Sequence, residues 1–122
     1  MAKIQIPFRE DMAIKSIIGR KTGTSRNTRY GDPGDEFELK GVEFRLKKVT
    51  KQYLNTIASA RYSEEGFDSP QEFMDIWVEL HPRAGWEPHK RVWFHEYERI
   101  TDLSTMPDEF LQSLEKYQEG RE

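Results

Sequence analysis

The sequence contains no cysteine, which removes disulfides, thiolate nucleophiles and thiolate metal ligands together. No apolar run approaches the ~20 residues needed to cross a bilayer, and the opening MAKIQIPF lacks the apolar stretch of a secretory leader. Together these absences predict a cytoplasmic chain with no membrane association. There is no internal repeat, no low-complexity tract and no linker long enough to divide the 122 residues, a length suited to one domain with its own core. No Walker-type phosphate loop occurs. The three histidines, His81, His89 and His95, match no zinc spacing and have no cysteine to assist them. Neither a metal nor a cofactor is therefore expected, and His81, just before Pro82, reads as a helix-end cap.

What the sequence does contain is typical of a globular protein: 35% hydrophobic, 34% charged and 12% aromatic residues. The net charge of −3 does not predict general nucleic-acid binding. Its distribution is uneven. Residues 14–29 carry Lys15, Arg20, Lys21, Arg26 and Arg29 and no acid, whereas residues 62–82 carry Glu64, Glu65, Asp68, Glu72, Asp75 and Glu79 and no lysine or arginine. Two readings follow: a local basic site on an acidic body, or two solvated faces that attract each other.

Periodicity and turn chemistry give the elements. KIQIPF reads as a short strand with Pro7 near its end. REDMAIKSIIG reads as a short helix, with Gly19 where a helix C-terminus favours a left-handed residue. Residues 19–35, GRKTGTSRNTRYGDPGD, read as a polar loop with almost nothing to place in a core. EFELKGVEFRLKKV alternates on either side of Lys40-Gly41 and predicts a hairpin. TKQYLNTIASARY has Tyr53, Leu54, Ile57 and Ala58 at helical spacing. SPQEFMDIWVEL opens with a capping box, Ser69 and Glu72, with Pro70 at the first helical position, and then shows a stripe of Phe73, Ile76, Trp77 and Leu80. KRVWFHEYERI, bulky on both faces, suits an inner strand. The tail predicts a final helix with Phe110, Leu111, Leu114 and Tyr117 inward. Without a sustained βαβ alternation, the expected class is α+β: a small mixed or antiparallel β-barrel with flanking helices.

A loop of glycine, threonine and arginine is suited to anions, because guanidinium forks, hydroxyls and free amides all donate to phosphate. The plainer reading is a polar loop whose threonines bond their own backbone. GRKTGTSRNTRYGDPGDEFEL also resembles the signature segment of the ASCH domain, within the PUA-like superfamily. The hallmark G-x-K-x-x-x-x-R is met by Gly19, Lys21 and Arg26, and the Gly34-Asp35 turn then enters a strand. The first strand and helix, the hairpin, YSEEGFDSPQEFMDIW and the late aromatic strand follow in the family's order over residues 3–99. The resemblance implies a small PUA-like β-barrel with helices around it over residues 1–100, an extra C-terminal helix in residues 101–122 packed on that domain, and a cleft beside the signature loop that takes RNA or a modified nucleoside.

A finer run, G-x-K-T-x-T-x-R, is similar to a bacterial branch of amidohydrolases that remove the acetyl group from N4-acetylcytidine. It implies a catalytic set of Lys21, Thr24 and the Glu65 of EEGF. Thr24 would attack, Lys21 would accept its proton if burial and Arg26 lower its pKa, and Glu65 would orient the base or protonate the leaving amine. Arg26 would hold the base edge or the oxyanion. Gly23, between the two threonines, reads as a point that loosens the loop. The expected ligand contacts are Gly19, Lys21, Thr22, Thr24, Arg26, Arg29 and Trp86. Trp86 lies in a Pro/Gly loop near Arg83, Lys90 and Arg91, where it either stacks on a base or folds over the barrel end, whereas Trp77 and Trp93 read as core. A third reading is a protein-interaction module using the C-terminal helix, with no particular protein partner indicated.

Overall fold

The computed structural model describes residues 2–119, with side chains as far as Glu115; Tyr117, expected on the inner side of the last helix, lies outside the described side chains. In chain order the elements are α1 (Glu10–Ile17), β1 (Gly23–Arg26), β2 (Glu36–Leu39), β3 (Val42–Tyr53), α2 (Leu54–Ala60), α3 (Pro70–Leu80), β4 (Arg91–Arg99), a 3-10 turn (Leu103–Thr105) and α4 (Asp108–Glu119). The class is α+β. The four strands form one antiparallel half-barrel in the order β1-β4-β3-β2. β4 is an inner strand, as its two bulky faces imply, and β1 and β2 are the outermost strands of the sheet.

Three local expectations change. KIQIPF is not a strand: it makes one parallel bridge, Lys3 to Glu36, flanked by Ile4 N donating to Glu36 O at 2.8 Å. The chain then turns inward at Ile6 and reaches Pro7, which has no N–H to continue a ladder. The sequence around Thr50 extends β3 through Tyr53, and the helix starts only at Leu54. Pairing of Lys51 with Trp93 and of Tyr53 with Arg91 outweighs the helical spacing, and leaves Tyr53 exposed. The polar loop contains a strand: residues 23–26 pair with β4, Thr24 opposite His95 and Arg26 opposite Trp93.

Other expectations hold. The β2–β3 turn places Lys40 and Gly41 at φ 51° and 85°, the pair of positive values a two-residue hairpin turn requires. α3 begins with Pro70, and Ser69 Oγ accepts from Glu72 N at 3.1 Å. α1 ends before Gly19 at φ 88°.

Two apolar clusters share the core. One gathers Phe37, Phe44, Leu46 and Tyr97, with Leu114 of α4 buried among them and Met106, Phe110 and Leu111 packed against them. The other gathers Leu54, Ile57, Phe73, Trp77 and Phe94 around α2 and α3. Phe8 touches both.

Candidate functional site

The site forms where α1 hands over to β1. After Ile17 the amides of Arg20 and Lys21 both donate to Lys15 O, at 2.9 and 3.1 Å, turning the chain back. Thr22 N and Gly23 N then donate to Glu64 O, at 2.8 and 3.0 Å, so residues 61–67 are clipped to the start of β1. Gly23 does not loosen this region. A Cβ there would stand 2.4 Å from the Phe94 ring, so its absence makes room for that ring against β1. Gly66 takes φ 94° with Lys21 Cβ only 3.2 Å from where its own Cβ would be. That close approach brings Glu65 onto Lys21.

Lys21 and Glu65 are each 3% exposed. Lys21 Nζ donates to Glu65 Oε1 at 2.9 Å and to Glu65 O at 3.0 Å. Ser25 Oγ donates to the other carboxylate oxygen, Oε2, at 2.5 Å. Burial drives the Lys21 ammonium below the usual lysine range, and the charge of Glu65 offsets part of that shift. The hydroxyl of Thr24 is engaged differently: it accepts from Arg26 Nε at 3.1 Å. The Arg26 guanidinium lies 4.9 Å from the centre of the Phe8 ring and 5.7 Å from that of Tyr30.

Beside β1, opposite Thr24 on β4, sits His95, fully buried. Its Nε2 accepts from Tyr30 N at 3.1 Å, so Nδ1 carries the proton and donates to Thr24 O at 3.3 Å. Burial, together with the charges of Arg26 and Arg29, holds its pKa below the ordinary value and the ring neutral.

A cleft of about 500 Å³ opens over these groups. Lys21, Thr24, Ser25, Arg26 and Glu65 supply its polar lining, and Phe8, Tyr30, Phe73 and Trp77 its aromatic walls. His81 stacks on Trp77, ring centres 4.1 Å apart, and caps α3 through Nδ1 and Trp77 O at 3.0 Å.

Of the residues singled out from sequence, Lys21, Thr24, Arg26 and Glu65 meet in this cleft. Gly19, Thr22, Arg29 and Trp86 do not line it. Thr22 is exposed, Arg29 pairs with Asp32 and lies 5.0 Å from the Trp93 ring, and Trp86 packs edge-on against Phe73. Ser25 joins the cleft lining, although a serine between two candidate residues carries no distinguishing signal in the sequence. Phe73 and Trp77 read as core, since periodicity does not tell a stripe facing a core from one that also faces a hollow. The basic and acidic segments do meet, among other contacts in the buried Lys21–Glu65 pair and in the exposed Arg20–Asp68 pair at 3.0 Å. No cluster of three or more potential metal ligands occurs among the described residues. No helix among them is long and apolar enough to cross a membrane.

An open antiparallel half-barrel with helices around it and a cleft at its β1 edge defines a class of small α+β domains, and comparison identifies the fold. The chain is similar to the ASCH domain from Lactobacillus crispatus, with TM-score 0.64 and 9% identity over 80% of this chain and 78% of that one. It is similar to a protein from Enterococcus faecalis, with TM-score 0.56 and 18% identity over 81% and 78%. It is also similar to a mutant ASCH protein from Zymomonas mobilis, with TM-score 0.54 and 16% identity over 79% and 68%. The chain has the ASCH-domain fold. No family model matches its sequence, and no curated protein does.

Proposed function

We propose that this chain binds RNA or a modified nucleoside in the cleft beside β1. The observation that carries this reading is the convergence of Lys21, Thr24, Ser25, Arg26 and Glu65 on one hollow walled by aromatic rings. A nucleobase has flat π faces and an edge of donors and acceptors. Aromatic rings and a guanidinium plane suit the faces, and hydroxyls with a carboxylate suit the edge. The ASCH fold of the structural neighbours agrees with it. Calorimetric titration with cytidine, N4-acetylcytidine and short single-stranded RNA tests the proposal. Saturable binding is expected, weakened about tenfold or more by Arg26→Ala, the loss of ~1.4 kcal/mol or more. Absence of saturation with every one of these ligands overturns it.

The Lys21–Glu65 pair favours a second reading, hydrolysis of N4-acetylcytidine. Thr24 Oγ1 bonds to the acetyl carbon while its proton passes to a neutral Lys21. The C–N4 bond then breaks, Lys21 returns the proton to N4, and water cleaves the resulting ester to acetate. Glu65 holds the Lys21 amine in place. A lysine whose basicity burial has lowered is the form this step needs. Release of cytidine is expected, lost in Thr24→Ala and kept in Thr22→Ala. Its rate rises with pH through the depressed Lys21 pKa, so the rising limb lies below the ordinary 10.5. Failure to turn over any N-acyl nucleoside removes this second reading and leaves the first.

A further inference from the structure

Outside the cleft, the sheet carries a second grouping of cations and aromatic rings. In the antiparallel register Arg26 and Lys51 both lie opposite Trp93, from the strands on either side of β4, and Tyr53 lies opposite Arg91. Cross-strand partners project to the same side of a sheet, as do residues two apart along one strand. Tyr53, Lys51, Arg91, Trp93 and Arg26 therefore share one face. Lys51 Nζ and the Arg29 guanidinium each lie 5.0 Å from the Trp93 ring, and Arg91 lies 6.0 Å from that of Tyr53.

Lys51, Arg91 and Arg29 are exposed, and Tyr53 is 50% exposed. Among the described residues only Arg29 of these three cations forms an ion pair, with Asp32. A chain of net charge −3 thus leaves Lys51 and Arg91 unneutralised beside an exposed ring. The grouping also runs into the cleft. Arg26 belongs to both, and Arg29 sits in the loop whose Asn27, Thr28 and Tyr30 line the cleft wall.

We propose that this face is a track for single-stranded RNA, carrying the nucleotides next to the one held in the cleft; it rests on the reading of the cleft as a base-binding site. The exposed Tyr53 ring supplies a sequence-tolerant stacking surface, and the cations beside it and beside the half-buried Trp93 ring reach phosphates without a large rearrangement. The acidic remainder of the molecule repels a polyanion, which confines it to this lane. A duplex hides its base faces and fits the track poorly.

Fluorescence anisotropy with a short fluorescein-labelled oligouridine, alongside calorimetry with free cytidine, tests the track. Tyr53→Ala is expected to weaken oligouridine binding about tenfold, within the range for loss of one base–aromatic stack. Lys51→Glu with Arg91→Glu weakens it further and lowers the slope of log affinity against log salt by about 1.4, two phosphate contacts at ~0.7 each. All three side chains are exposed, so these variants keep the fold, and cytidine affinity stays unchanged in each. Unaltered oligouridine affinity in both variants, with cytidine binding intact, overturns the track alone. Absence of binding of cytidine, N4-acetylcytidine and oligouridine alike by the unmutated protein overturns the cleft reading instead. Displacement of oligouridine by polyglutamate as efficiently as by unlabelled RNA also overturns the track, in favour of an acidic protein partner.

Discussion

In the β2–β3 hairpin the buried side chains are Phe37, Leu39, Val42, Phe44 and Leu46; along residues 21–26 they are Lys21, Thr24 and Ser25, with Glu65 held against them. Both regions are equally shielded from water, yet burial acts in opposite directions. Each apolar Å² removed from water contributes roughly 25 cal/mol in favour of folding. Each buried ion or hydroxyl costs free energy unless its partners are in place. The hairpin is therefore where the fold draws stability. The start of β1 is where it holds groups that stability alone does not call for. Aromatic contacts reinforce the contrast: Phe37 stacks on Phe44 at 5.3 Å, and Tyr97 meets both edge-on.

The largest effect expected from this contrast is in the hairpin. Phe44→Ala leaves a cavity beneath Phe37 and Tyr97 and should cost about 3–5 kcal/mol in urea unfolding. The protein that remains folded should bind cytidine with unchanged affinity. A parallel loss of affinity would mean that the two regions are not separable.

At the β1 end, Glu65→Ala strands a buried ammonium and should cost about 3 kcal/mol. Lys21→Met combined with Glu65→Leu removes both charges and should recover most of that loss, whereas cytidine binding is expected to be lost in the single and the double variant alike. A double variant as unstable as the single one would show that the pair is structural rather than retained for the cleft. Ser25→Ala probes the same carboxylate more gently. It removes one hydrogen bond to a charged group, and a loss of about 2 kcal/mol is expected by the same unfolding measurement. No change there would show that Ser25 does not hold Glu65 in place.

The same division governs what could be read from the sequence. The hairpin turn at Lys40-Gly41 and the cap at Ser69-Pro70 were legible because their causes are local: two positive φ values and one side-chain acceptor. β1 was not, since GTSR has neither apolar alternation nor strong strand propensity. Its strand character comes from β4, some seventy positions further on in the register of Thr24 with His95. Tyr53 departs from its helical pattern for a related reason: its spacing with Ile57 is overridden by pairing with Arg91. In the site, charge asymmetry pointed to an acid meeting the basic segment, and the resemblance singled out Glu65. What neither signalled was Ser25, or that Trp77 and Phe73 serve a cleft wall as well as a core.

The smallest effect lies at His95, which joins the two regions by bonding both the β1 backbone and the loop at Tyr30. Its pKa is depressed in the folded state, so below the unfolded value of 6.5 the unfolded chain binds a proton that the folded one refuses. The stability from this group is complete above pH 6.5 and is lost as pH falls toward the folded pKa. The slope contributed by one proton is no steeper than about 1.4 kcal/mol per pH unit. Protonation also turns Nε2 into a donor facing the Tyr30 N–H, so the 27–31 loop loses its anchor at the cleft wall. Other groups titrate in the same window, and the difference between the unmutated protein and His95→Gln isolates this one. The variant should be the less stable at neutral pH, and the gap should narrow on acidification. Parallel stability curves for the two proteins would show that the imidazole is not the group coupling the cleft wall to pH.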